Sequence, residues 1–196
     1  MRTLKLNQKN FEKTIIELVK LIKKGKILVL PTDTVYGLIC DATNKISVER
    51  IFKIKKRLKK KPFPLFVKNL KMAKEITKID KKQEKFLKSI WPGKVTVVLK
   101  RKKTRMKLYG LDKKTIATRI PKCKLIIELI KKTNRLLTET SVNVSGEKPL
   151  TKIQEVINQF RGQKNKPDLI VDSGNLRGKP SKVIDLTKKK LKILRV

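Results

Sequence analysis

The sequence contains no histidine, which excludes Ser-His-Asp and Cys-His catalysis, histidine-ligated zinc and imidazole acid–base chemistry. Its two cysteines, Cys40 and Cys123, lie far apart and form no metal or redox motif, so reduced thiols in a cytosolic protein are expected. No apolar run approaches the about 18 residues of a membrane span, and the N-terminus lacks an apolar signal core. Neither a membrane partner nor a signal peptide is therefore expected. Acidic residues are scarce: 16 Asp and Glu stand against 53 Lys and Arg, a net charge of +37. That balance suits nucleotides, RNA or anionic lipid. Lysine is spread along the whole chain, however, so charge alone identifies no partner.

What is present reads as one α/β domain over 196 residues, long enough to bury a core. Short runs rich in branched residues, at 27–30, 65–67, 95–99, 115–120, 136–138, 169–171, 183–186 and 191–194, predict strands. Helical spacing predicts a helix with Phe11, Ile15, Leu18 and Ile22 inward, capped by Asn7 and ended by Gly25. Ser47 is placed to cap a second helix with Val48, Ile51, Phe52 and Leu58 inward. Two helices are expected between Leu70 and Trp91, one with Leu125, Ile126, Leu129 and Ile130, and one over Thr151–Phe160. Strands interleaved with helices, and adjacent strands at the end, predict a twisted mixed sheet flanked by helices.

Polar chemistry concentrates in a few places. Leu30–Leu38 (LPTDTVYGL) follows a buried strand with three consecutive side-chain oxygens, Thr32, Asp33 and Thr34. Such a run beyond a strand's carboxyl end fits a ligand loop, but taken alone it fits a capped turn more readily. Lys55 and Arg57, with Lys59, Lys60 and Lys61 before Pro62, fit a triphosphate clamp or a basic helix end. Ser141 and Asn143 alternate, which puts both on one face of extended chain. Arg119 lies within a strand, where it either points to solvent or meets an anion. Residues Gly174–Ser181 fail as a Walker motif, being one residue short between the glycines with proline after the lysine.

These stretches occur together and in order. The residues 31–38 (PTDTVYGL), Lys55-x-Arg57 with Lys61-Pro62, and Trp91-Pro92-Gly93 with 95–99 (VTVVL) match one pattern. The residues 117–121 (ATRIP), 141–146 (SVNVSG), 170–174 (IVDSG) and 181–186 (SKVIDL) continue it. From about Ile27 to Arg195 the chain closely resembles the YrdC/TsaC family of threonylcarbamoyl-adenylate synthases, in a short form with a single domain over 1–196.

The resemblance implies a twisted α/β sheet with a basic concave face. It also implies conversion of L-threonine, bicarbonate and ATP, with Mg²⁺, to threonylcarbamoyl-adenylate and pyrophosphate. That product serves the t6A modification of tRNA adenosine 37, with other t6A-forming proteins as partners and the cytoplasm as the setting. By position, Thr32, Arg119 and Ser181 would hold threonine, Arg119 pairing with its carboxylate. Lys55, Arg57, Lys59, Thr115, Ser141, Asn143 and Arg195 would hold ATP, with Lys55 and Arg57 stabilising charge on the phosphates. No metal site of the protein's own is implied.

The chain departs from the pattern at Asp33 (often Glu), Leu58 and Thr140 (often Pro), Lys182 (often Thr) and Phe66, where some relatives place histidine. A non-catalytic module binding double-stranded RNA or ribosomes is the alternative within the fold family, weakly supported by the charge. A carbamoyl-adenylate activity of the hydrogenase-maturation kind ranks third, since it is accompanied by zinc-finger and acylphosphatase regions for which this chain has no room.

Overall fold

The apolar run after Gly25 forms strand β2 (Leu28–Leu30), and its alternation decides the layering. Successive strand side chains point to opposite faces. Leu28 and Leu30 join one apolar cluster, while Val29 joins another on the opposite face. A computed structural model describes residues 1–58, 61–188 and 190–196 of the chain. The order is β1 (Arg2–Lys5), α1 (Phe11–Lys23), β2, β3 (Gly37–Ile39), α2 (Lys45–Ile54), β4 (Leu65–Phe66), α3 (Leu70–Ile76) and α4 (Lys81–Ile90). Then follow β5 (Val95–Lys100), β6 (Thr115–Arg119), α5 (Lys124–Thr133), β7 (Leu137–Thr138), β8 (Thr140–Ser141), α6 (Ile153–Gln159), β9 (Leu169–Asp172), β10 (Lys182–Asp185) and β11 (Lys192–Arg195).

The mixed α/β expectation holds, but the strands divide between two mixed sheets rather than one. The first has the order β1-β9-β2-β3-β8 and the second β11-β10-β5-β6-β4-β7. They meet at a corner. Asp41 bridges Leu137, the Ala42 amide donates to Leu136, and the Thr138 amide donates to Cys40. Within three residues, 138–140, the chain passes from β7 of one sheet to β8 of the other. Glu139 sits at that crossing. Strands β1 and β3 were not foreseen, since the first is largely exposed and the second hides in the glycine end of the loop.

Helix α1 buries Ile15, Leu18 and Ile22 completely against the cluster that holds Ile126, Leu129 and Ile130 of α5. Each such side chain contributes about 1.5–3 kcal/mol. The opposite cluster seats Val48, Ile51 and Phe52 of α2 with Val156 of α6 on the outer face of the first sheet. The cap assignments shift by one turn. Helix α1 starts at Phe11, and Asn7 and Asn10 ahead of it instead each accept, through Oδ1, from the other's backbone amide. Helix α2 is capped by Asn44, whose Oδ1 accepts from the Ser47 amide at 3.0 Å; the Ser47 hydroxyl ties the helix to Gly25. The helix ends at Ile54, so Leu58, expected inward, lies beyond it and is exposed. Among the described residues no helix is long and apolar enough to cross a membrane.

Candidate functional site

The turn between β2 and β3 is built from its own hydroxyls. Thr32 Oγ1 donates to the Val35 carbonyl at 2.7 Å and accepts from the Thr34 amide at 3.0 Å. Asp33 does not close a local turn. Its Oδ1 meets Arg119 Nη1 at 3.0 Å, and its Oδ2 accepts from the Lys122 amide at 3.0 Å, across 89 residues of chain. The Tyr36 hydroxyl donates to the Gly174 carbonyl at 2.6 Å and accepts from the Ser173 amide at 3.1 Å. That bolt draws the segment between β9 and β10 against the turn. Gly178 comes so close there that an added Cβ would lie 1.8 Å from the Thr34 carbonyl oxygen, which only glycine permits.

A cleft of about 260 Å³ opens between the two sheets at this point. It is lined by Thr32, Thr34, Phe66, Arg119 and Ser181 together with Arg57, Ser141 and Arg195. Glu139 and Thr140 line it as well. Six of the sequence-predicted residues are therefore brought together: Thr32, Arg57, Arg119, Ser141, Ser181 and Arg195. Ser181 is held by Thr96 Oγ1 at 2.8 Å, and Arg195 reaches its carbonyl at 2.7 Å and its hydroxyl at 3.1 Å.

Arg119 is the buried centre of the wall. Its side chain is 0% exposed, it stands over the Phe66 ring at 5.0 Å, and it pairs with Asp33 at 3.0 Å and Glu139 at 2.8 Å. A cation in a strand needs such partners, because burial without them is costly. The expectation that Arg119 meets an anion holds, but the anions in place are the protein's own. Arg119 Nε and Glu139 Oε2 remain without hydrogen-bond partners. Burial pushes the Glu139 carboxyl above the usual carboxylate range, against the opposing pull of Arg119.

Three predicted ligands stand elsewhere. Lys55 is 1% exposed, and its ammonium donates to the Ser141 carbonyl at 2.6 Å, the Asn143 carbonyl at 2.9 Å and Asn143 Oδ1 at 2.8 Å. It faces the 141–143 loop and is not among the residues lining the cleft. Burial, then the neighbouring Arg57 charge, lower its pKa to about 7. Asn143 is spent on the same loop: it also accepts from Ser141 Oγ at 2.7 Å and donates to the Glu147 carbonyl at 2.6 Å. Thr115 begins β6 at the opposite end from Arg119, about 13 Å along the strand, and its amide and hydroxyl both bind Asp112 Oδ1. Lys59 lies outside the described residues.

Arg57 stays at the cleft because Lys56 adopts a left-handed conformation, φ 47°, just past the end of α2. Its Nε and Nη2 donate to the carbonyls of Lys61 and Pro62 at 2.9 and 3.0 Å. Sequence reasoning missed Glu139 altogether. The available signal was a lone acid inside a run of hydroxyl residues at the end of a strand.

With the geometry in view, comparison with known proteins is informative. The profile of the Sua5/YciO/YrdC family, described as telomere recombination, matches residues 20–196. A threonylcarbamoyl-AMP synthase of Pyrococcus abyssi is 35% identical over 85% of this chain and 48% of its own length. A putative threonylcarbamoyl-AMP synthase of Methanocaldococcus jannaschii is 30% identical over 95% of this chain and 86% of its own. The crystal structure of P. abyssi Sua5 complexed with L-threonine superposes with a TM-score of 0.84 at 32% identity, covering 99% of this chain and 56% of that one. The chain thus spans about half the length of the Pyrococcus relative and most of the Methanocaldococcus one.

Proposed function

The chain belongs to the Sua5/YciO/YrdC family, and from that premise we propose that it is a threonylcarbamoyl-AMP synthase. It joins L-threonine, bicarbonate and ATP into threonylcarbamoyl-AMP and releases pyrophosphate. The observation that carries this reading is the make-up of the cleft. It gathers Thr32, Arg119 and Ser181, suited to an amino acid, with Arg57, Ser141 and Arg195, which bring two guanidinium groups for phosphates. The names of the relatives and the threonine complex of P. abyssi Sua5 support it.

In this reading the amine of threonine and bicarbonate form a carbamate, whose oxygen attacks the α-phosphorus in line while pyrophosphate leaves. Such a transfer needs positioned reactants and neutralised charge more than a protein nucleophile. A cleft without histidine and with arginines and hydroxyls meets that demand. Arg57 and Arg195 offer forked donors to the phosphates. Lys55 acts indirectly, by fixing the loop that presents Ser141. Mg²⁺ enters with the phosphates of ATP. Among the described residues no group of three acidic or cysteine side chains is placed to hold a metal. The product feeds the proteins that complete t6A on tRNA in the cytoplasm.

The test is ATP conversion to AMP and pyrophosphate with and without L-threonine and bicarbonate. Turnover that requires both, with threonylcarbamoyl-AMP detected by mass, is expected; a folded protein with no such turnover overturns the reading. Arg57→Ala should lower turnover by about 10²-fold with the fold intact by circular dichroism, and unchanged turnover removes Arg57 from the role.

A further inference from the structure

Glu139 is the one acidic residue among those lining the cleft, and the proposed reaction so far gives it nothing to do. Its backbone is fixed, because its amide donates to the Pro64 carbonyl at 2.7 Å. Its side chain is 13% exposed and touches Arg119 through Oε1 alone. The Nε and Nη2 atoms of an arginine form one edge of the fork, shaped for two carboxylate oxygens. Here that edge is half used. Nη2 holds Glu139 Oε1, while the donor Nε and the acceptor Oε2 are left over, both covered and both without partners.

Leaving a buried donor and a buried acceptor unmade is costly, and each such pair calls for an explanation. As they stand neither atom is open to the cleft; once the Glu139 side chain turns, a single ligand satisfies both: a free amino acid, whose carboxylate accepts from Arg119 Nε and whose ammonium donates to Glu139 Oε2. An organic acid leaves Oε2 unpaired, and an amine without a carboxylate leaves Nε unpaired. The terminal torsion of a glutamate is broad, so Oε2 can turn toward the cleft without moving the backbone.

We infer that Glu139 reads the α-ammonium of the substrate and accepts the proton released when that nitrogen becomes a carbamate. The inference rests on the amino-acid reading given above. The step balances. Threonine ammonium, bicarbonate and ionised Glu139 give the carbamate, one water and protonated Glu139. The nitrogen lone pair forms the C–N bond, and the hydroxyl of bicarbonate leaves as water with one ammonium proton. The other proton passes to Oε2. The charged groups facing Glu139 are Arg119, Asp33 and Arg195, and burial raises its affinity for a proton.

The test is calorimetric titration of the full chain and Glu139→Gln with L-threonine and with 3-hydroxybutanoate, which lacks the amine. Gln keeps an oxygen for Arg119 Nη2, so the variant should lose about tenfold in threonine affinity while 3-hydroxybutanoate binding stays level. That level binding also reports an intact cleft. Equal loss for both ligands makes Glu139 a mere prop for Arg119, and equal gain makes it a plug on the carboxylate site; either overturns the inference. Glu139→Asp, which keeps the charge, should recover part of the threonine affinity; no recovery counts against ammonium recognition. At saturating threonine, the kcat deficit of Glu139→Gln should shrink as pH rises and the free amine loses its proton unaided. A deficit flat with pH removes the proton-accepting role. Wild-type protein that binds neither ligand and turns over no ATP overturns the amino-acid reading itself.

Discussion

Two buried cations, one lining the cleft and one held by the 141–143 loop, are neutralised in opposite ways. Arg119 is surrounded by carboxylates and keeps a leftover donor. Lys55 has no acid in hydrogen-bond contact and spends its three protons on neutral oxygens of the 141–143 loop. The first arrangement resembles a binding site completed by a ligand. The second is a clamp already complete. Both residues sit at positions where sequence alone suggested anion binding, so burial and partner chemistry separate roles that residue type does not.

The largest effect that tests this contrast is on Arg119. Arg119→Ala strands Asp33 and Glu139 as buried carboxylates with no cation, and should cost about 3–5 kcal/mol in urea denaturation. Adding Glu139→Gln to that variant should restore part of the loss, because one uncompensated charge disappears. A loss below about 1 kcal/mol means that the pair behaves as if solvated and that the contrast with Lys55 is false.

This asymmetry also explains how much of the molecule was legible in its sequence. The turn 31–37, the Lys55/Arg57 pair, Arg119 and Ser141 stood out in the sequence itself, whereas Arg195 and the sorting into threonine and ATP ligands came with the family resemblance. Glu139 was not found, because its role comes from a crossing between two sheets that no local pattern encodes. Lys55 and Arg57 read as one alternating pair, yet the left-handed turn at Lys56 sends one under a loop and the other to the cleft. Thr115 and Arg119 share a strand, and strand rise alone separates them by about 13 Å. Periodicity locates elements well; it does not say which end of an element meets the site.

Lys55 supplies the intermediate effect. Lys55→Met keeps the stem and removes the ammonium, leaving the Ser141 and Asn143 carbonyls without this donor. A loss of about 2 kcal/mol is expected near pH 10.5, where folding no longer has to strip a proton from the amine. The pH dependence sharpens it. The folded pKa of Lys55 is lowered from 10.5 to about 7, so between those values the unfolded chain binds more protons at this site than the folded one. Stability linked to Lys55 therefore rises from pH 7 toward 10.5 and is lost as pH falls through 7. Denaturation across that window should show wild type gaining on Lys55→Met, whereas parallel curves would mean that the ammonium is solvated and no clamp exists.

The smallest effect isolates the turn that makes the two cations different. Lys56 holds φ at 47° with its side chain exposed, a conformation that costs a residue with a Cβ about 1–2 kcal/mol. Glycine removes that cost but adds freedom to the unfolded chain, so Lys56→Gly should stabilise by about 0.5–1 kcal/mol. Asn134 provides the control. It ends α5 at φ 51°, a conformation asparagine already tolerates, and its Oδ1 accepts from Lys68 Nζ at 3.0 Å. Asn134→Gly should therefore gain less than Lys56→Gly, or lose slightly. If the two substitutions rank the other way in chemical denaturation, the turn at Lys56 is held by its side chain rather than strained by it. The separation of Lys55 from Arg57 would then be a property of that side chain, and Lys56→Gly would let the two cations move together.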